Sequence, residues 1–106
     1  MVFYSEEVYD DFDDIFDALL SWKDKKTGQK HMNYYEVADY IDRMQTFCET
    51  IDKAKYHFRT QYEYHKRYGG FYQTYKPNSR TIWYVIYNVD VDIYINKIMN
   101  NYLTIK

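Results

Sequence analysis

The chain has 106 residues, 46% hydrophobic and 22% aromatic, with 14 lysines and arginines against 16 aspartates and glutamates, for a net charge of -2. That length suits one domain with one core, because a chain of this size buries roughly two thirds of its unfolded surface without a disulfide or metal staple. A single cysteine, Cys48, excludes an internal disulfide and a multi-cysteine zinc site, and no apolar run has the length of a signal core or membrane span, so a cytoplasmic protein is expected.

Met1 to Tyr4 reads as a short strand. Ser5 follows as an N-cap, with Glu6 and Glu7 at the positive end of a first helix. Val8, Phe12, Ile15, Phe16, Leu19 and Leu20 recur near 3.6 residues, forming one apolar stripe and leaving the carboxylates on the other side. Residues 24–32 are polar, contain Gly28 and break the period, which makes them a connection. Asn33 with Glu36 three residues later resembles a capping box. The helix it opens carries Val37, Tyr40, Ile41, Met44, Phe47, Cys48, Ile51, Ala54 and Phe58 on one face, and is expected to run to about Tyr62. On that face Cys48 is a buried small hydrophobe.

Two striped helices need a flat surface to cover, and the remainder supplies it. Phe71 to Tyr75, Thr81 to Val89 and Ile93 to Met99 are rich in β-branched and aromatic residues. A turn at Pro77-Asn78 and an acidic turn at Asp90 to Asp92 separate them, so they form an antiparallel meander. In the middle strand Thr81, Trp83, Val85, Tyr87 and Val89 face one way, and Ile82, Tyr84 and Ile86 the other. Apolar residues on both faces make it a central strand, with one face under the helices and the other partly open. The predicted architecture is α+β: a short N-terminal strand and a two-helix hairpin packed on a small antiparallel sheet, which the C-terminal three-strand meander completes, all in one domain over residues 1–106.

Charge is unevenly spread. Glu6, Glu7, Asp10, Asp11, Asp13, Asp14 and Asp17 stand together without a basic residue, whereas Lys53, Lys55, Arg59, Lys66, Arg67, Lys76 and Arg80 face Glu63 alone. Counterion release depends on local lysine and arginine, not on the sum, so a mildly acidic chain can present a cationic surface for phosphate. The candidate phosphate contacts are His65, Lys66, Arg67 and Lys76, interleaved with tyrosine. The acidic first helix is expected to repel nucleic acid from its own side. Each residue also has a plain structural role: Lys66 and Arg67 offset a helix C-terminal dipole, Arg80 closes a turn, and Tyr84 packs in the core. His57 and His65 lack the partners of a metal site, and no phosphate-cradling glycine loop, nucleophile elbow or dinucleotide fingerprint appears.

The order strand, acidic helix, longer helix and three-strand meander, with Tyr4-Ser5-Glu6-Glu7 opening the first helix and residues 83–95 near the end, resembles the RelE/ParE superfamily of bacterial toxins. That resemblance implies a cytoplasmic growth inhibitor held inactive by a cognate antitoxin whose helix and extended tail wrap it. RelE-like members cleave messenger RNA in the ribosomal A site without metal or other cofactor, and ParE-like members poison DNA gyrase. By the same resemblance Arg80 stands where a family arginine lies, although matching Tyr87 and Asp90 to the family's tyrosine and acidic turn puts Tyr84 there instead. Tyr102 occupies the place of a C-terminal tyrosine, while Met99-Asn100-Asn101 stands where active RelE-like chains often have His or Arg.

Overall fold

A computed structural model describes residues 1–101 of the chain. Strand β1 (Val2–Tyr4) leads into helices α1 (Glu6–Ser21) and α2 (Tyr34–Glu49). A 3-10 turn (Ile51–Lys53), the two-residue strand β2 (Phe58–Arg59) and the short helix α3 (Glu63–Lys66) follow. Strands β3 (Phe71–Tyr75), β4 (Trp83–Asp90) and β5 (Asp92–Asn100) close the described chain. The α+β architecture is as the sequence implies.

The five strands form one sheet in the order β1-β5-β4-β3-β2, so β4 is central. β2 to β5 are antiparallel neighbours, and β1 adds one parallel pair at the edge, with Val2, Phe3 and Tyr4 opposite Ile93, Tyr94 and Ile95. The sheet is therefore mixed. Both helices lie on the face that carries Trp83, Val85 and Tyr87, where Val8, Phe12, Ile15, Met44, Cys48, Ile51, Ile93, Ile95 and Ile98 complete the core. The aromatic tips buried here find partners: Trp83 Nε1 donates to the Tyr40 hydroxyl at 2.7 Å, and the Tyr87 hydroxyl meets His57 Nδ1 at 2.6 Å.

Local chemistry explains the helix ends. Asn33 Oδ1 accepts from the Glu36 amide at 2.9 Å, and Glu36 Oε1 accepts from the Asn33 amide at 3.1 Å, so the capping box is complete. Ser5 stands at the N-cap of α1, but its side chain makes no cap bond; its hydroxyl donates to the Asn96 carbonyl at 3.4 Å. Its amide likewise donates to Ile95 O at 2.9 Å, tying the start of α1 to β5.

Three expectations are revised. α2 stops at Glu49, not near Tyr62, where the Thr50 hydroxyl donates to Phe47 O at 2.7 Å. A helix from Asn33 to Tyr62 would be roughly 45 Å long, overhanging strands of about 30 Å. Phe58 keeps the helical spacing, yet it pairs with Tyr72 in β2 and so covers the outer edge of β3. Second, Asp11 does not join the solvated carboxylates. It is 7% exposed, with Oδ1 accepting from Lys97 Nζ at 2.8 Å and Oδ2 from the Ile98 amide at 3.0 Å. Because β1 ends at Tyr4, the outer edge of β5 beyond Ile95 has no strand partner among the described residues, and Asp11 supplies an acceptor there. Third, the acidic turn between β4 and β5 narrows to Val91, with φ of 64° and a side chain 99% exposed.

Two stability outcomes follow. Asp11→Ala leaves the Ile98 amide without its acceptor and Lys97 with Glu7 alone, and should cost about 2–3 kcal/mol in denaturant unfolding. Val91→Gly relieves a β-branched residue of a left-handed backbone and should raise stability by about 1 kcal/mol by the same assay.

Candidate functional site

The second face of the sheet carries Tyr72, Tyr84 and Ile86, and the chain from Thr60 to Gly70 returns across it. The crossing is pinned by polar groups. The Thr60 amide donates to Gly70 O at 3.0 Å and its hydroxyl to Gly69 O at 2.9 Å. The Gly70 amide donates to Asn88 Oδ1 at 3.0 Å, and Asn96 Nδ2 to Tyr68 O at 2.8 Å. Gly69 is required by proximity: a Cβ there would stand 2.5 Å from the Tyr87 carbonyl oxygen.

Beside this crossing lies a hollow of about 400 Å³ lined by Ser5, Glu7, Lys66, Arg67, Tyr68, Gly69, Gly70, Asn88 and Asn96. α3 and its C-cap bring Lys66 and Arg67 together to its rim. Lys66 Nζ stands 3.5 Å from Glu63 in an exposed pair that contributes well under about 1 kcal/mol, so an anion can displace it. Two cations, carboxamides and a tyrosine ring beside a shallow surface suit the sugar-phosphate backbone.

His65 takes a different position from its neighbours. It is 2% exposed, with ring centroids of Tyr64, Tyr84, Tyr62 and Tyr72 at 4.6, 4.9, 5.6 and 6.5 Å. Its Nε2 is buried without a hydrogen-bond partner among the described residues, and burial lowers its pKa below the ordinary histidine value. A neutral ring so enclosed anchors α3 to the sheet and does not face a phosphate. Tyr84 is half-buried in the same group, and burial, then Tyr62, Tyr64 and Tyr72, raise its pKa. It is a phenol at neutral pH, able to donate a proton.

Lys76 and Arg80 stand elsewhere. They lie in the β3–β4 connection, where Asn78 Oδ1 accepts from the Arg80 and Thr81 amides, each at 2.9 Å, and Asn101 Nδ2 donates to Arg80 O at 3.3 Å. Arg80 precedes β4 while Lys66 and Arg67 sit with Asn88 near its end, a separation of roughly 25 Å along the strand. The sequence-derived set thus divides into a Lys66–Arg67 end, a Tyr84–His65 middle and a Lys76–Arg80 end. Tyr102 lies outside the described residues. Asn88 and Asn96 were not singled out as site residues; the signal was a polar side chain interrupting each of two apolar strands.

Among the described residues no group of three His, Cys, Asp or Glu side chains comes together to hold a metal ion, and no helix is long and apolar enough to cross a membrane. Comparison of the chain with protein-family models, curated proteins and solved structures gives no match.

Because the folded His65 binds a proton less readily than the unfolded one, its stabilising contribution is full above the unfolded pKa of about 6.5 and is lost as pH falls below it. The Tm should therefore drop by a few degrees between pH 7.5 and 5.5, and His65→Phe should flatten that slope in thermal scans.

Proposed function

We propose that this chain is a growth-inhibiting toxin of RelE/ParE type that acts in the cytoplasm on translation, cleaving messenger RNA on the ribosome, and is neutralised by a cognate antitoxin protein. The observation that carries the reading is the pairing of Lys66 and Arg67 on the rim of a shallow hollow, on the sheet face that also presents Tyr84. The β-α-α order closed by a three-strand meander supports it as well.

In this reading RNA lies over residues 60–70, which cross the second face of the sheet, and reaches the part of Tyr84 that they leave open. Lys66 and Arg67 hold backbone phosphates, and Arg80 stabilises the extra charge on phosphorus as the 2'-oxygen attacks, its proton passing to solvent water, and the bond from phosphorus to the 5'-oxygen breaks. The phenol of Tyr84, protonated at neutral pH, gives its proton to the leaving 5'-oxygen. No cofactor or metal is called on. The resemblance adds Tyr102 as a further catalytic candidate.

A second reading rests on a specific observation. Arg80 lies at the opposite end of β4 from Lys66 and Arg67, and Met99, Asn100 and Asn101, which close the sheet beside it, carry no titratable side chain. Such a surface suits binding without chemistry, as in a ParE-like inhibitor of DNA gyrase or a member that retains only the antitoxin-binding fold.

Controlled expression separates these readings. The nuclease predicts growth arrest with transcript cleavage on ribosomes, and Arg80→Ala should reduce cleavage at least about 100-fold with circular dichroism unchanged. Full cleavage by that variant removes Arg80 from the mechanism. Arrest with intact transcripts and inhibited supercoiling selects the gyrase reading, and normal growth on induction selects the inactive member.

A further inference from the structure

The α1–α2 connection, from Trp22 to His31, holds Lys23, Lys25, Lys26 and Lys30 with His31 against one carboxylate, Asp24. The segment is folded into a small hairpin. Lys23 and Lys30 form an antiparallel bridge, the Asp24 amide donates to Gln29 O at 2.8 Å, and the His31 amide donates to Trp22 O at 3.1 Å. Gly28, at φ of 71°, makes the left-handed turn at its tip.

Asp24 is occupied within the hairpin. Its Oδ1 accepts from the Thr27 amide at 3.0 Å and the Lys26 amide at 2.8 Å, bonds that hold its carboxyl below the usual range. All four lysines are exposed, and among the described residues none of them is in an ion pair. Four like charges on one ordered turn repel one another, and a polyanion relieves that repulsion while releasing its own counterions.

A second, independent observation concerns the rings. Trp22 is 53% exposed and stacks on His31 with centroids 3.9 Å apart. Tyr34 and Tyr35, 59% and 82% exposed, follow at the start of α2. Trp22 and His31 flank three of the lysines around a depression of about 530 Å³. Lysines alone would suit a duplex or an acidic peptide; open flat rings among lysines suit a strand whose bases are unstacked. Asp13, Asp14 and Asp17 stand further back along α1 and repel a phosphate backbone from the helix, which confines the contact to the hairpin.

We propose that the α1–α2 hairpin is a binding site for single-stranded nucleic acid, in which Lys23, Lys25, Lys26 and Lys30 contact phosphates and Trp22 stacks on a base. The site is separate from the Lys66–Arg67 hollow and does not rest on the toxin reading. It lies at the end of the sheet that carries Trp83 and Asn100, since Trp22 shares a cleft with both.

The test uses the full chain with fluorescein-labelled 20-mers of oligouridylate and oligo-dT, read by anisotropy over a range of NaCl. Both oligomers are expected to bind. Lys25→Glu with Lys26→Glu should weaken binding at least tenfold at low salt and flatten the slope of log K against log salt by about 1.4, two phosphates at about 0.7 each. Trp22→Ala should weaken binding about five- to tenfold with the slope unchanged. Because Trp83 is 3% exposed, quenching of tryptophan fluorescence on binding should come from Trp22 and vanish in Trp22→Phe. Lys53→Glu with Lys55→Glu, the same charge reversal at exposed lysines outside both sites and folded by circular dichroism, is the control, and should retain the quenching. Unchanged affinity in the hairpin double variant overturns the site, as does loss of the quenching in the control. Equal competition by duplex DNA or polyglutamate, with no quenching, overturns the stacking.

Discussion

The structure depends on β4 being covered on both faces. The helices take Trp83, Val85 and Tyr87, and the return of residues 60–70 takes Tyr84 and Ile86, which is fully buried. A strand so enclosed fixes the register of its neighbours, because a slip of one residue would exchange its two sets of side chains. The crossing comes this close only because residue 69 has no side chain, and the bonds of Thr60, Gly70 and Asn96 hold it there. The same crossing brings Lys66 and Arg67 to the surface in a fixed position.

Enclosing so many rings raises a polar problem, and the solutions are distributed. The Tyr4 hydroxyl donates to Glu49, Trp83 to Tyr40, and the Tyr87 hydroxyl is shared by His57 and Gln73. Among the described residues Asp11 and Lys97 form the one deeply set ion pair, where burial lifts the Asp11 pKa against the lysine that faces it. For Lys97 burial lowers the pKa, and its bonds to Asp11 and Glu7 outweigh that, leaving it raised. Both shifts favour the proton-bound form, neutral for Asp11 and charged for Lys97; the 2.8 Å contact, with the Ile98 amide on the other carboxylate oxygen, marks the pair as charged. His65 Nε2 is the exception, a buried nitrogen with no partner among the described residues, so α3 is held by a ring that loses its place when it is protonated.

Periodicity made most of this legible. The stripes of α1 and α2, the Asn33–Glu36 capping box and the alternation along β4 depend on local chemistry that any window of ten residues displays. What escaped depends on partners distant in sequence. Ala54 and Phe58 continue the helical spacing, and only the open edge of β3 explains why Phe58 is a strand residue. Asp11 reads as one carboxylate among seven until β1 is known to stop short of Ile98. The grouping of site residues was legible for Lys66 and Arg67, which are adjacent, and not for Arg80, because sequence spacing does not say which end of a strand faces which loop. His65 was read by residue type, and type does not reveal enclosure. The lysines of the α1–α2 connection were read as spacer because a broken period says nothing of the order that Asp24 and Gly28 impose.

Cys48 closes the account in a different way. It lies at 0% exposure in the centre of the core, and burial pushes its thiol up to about 12. Only the thiolate attacks an alkylating reagent, so the folded chain is inert at neutral pH and the opened chain is not. The protein therefore contains a natural clock: the speed at which reagent captures this sulfur counts excursions in which the helical layer parts from the sheet, in plain buffer and with no engineered probe.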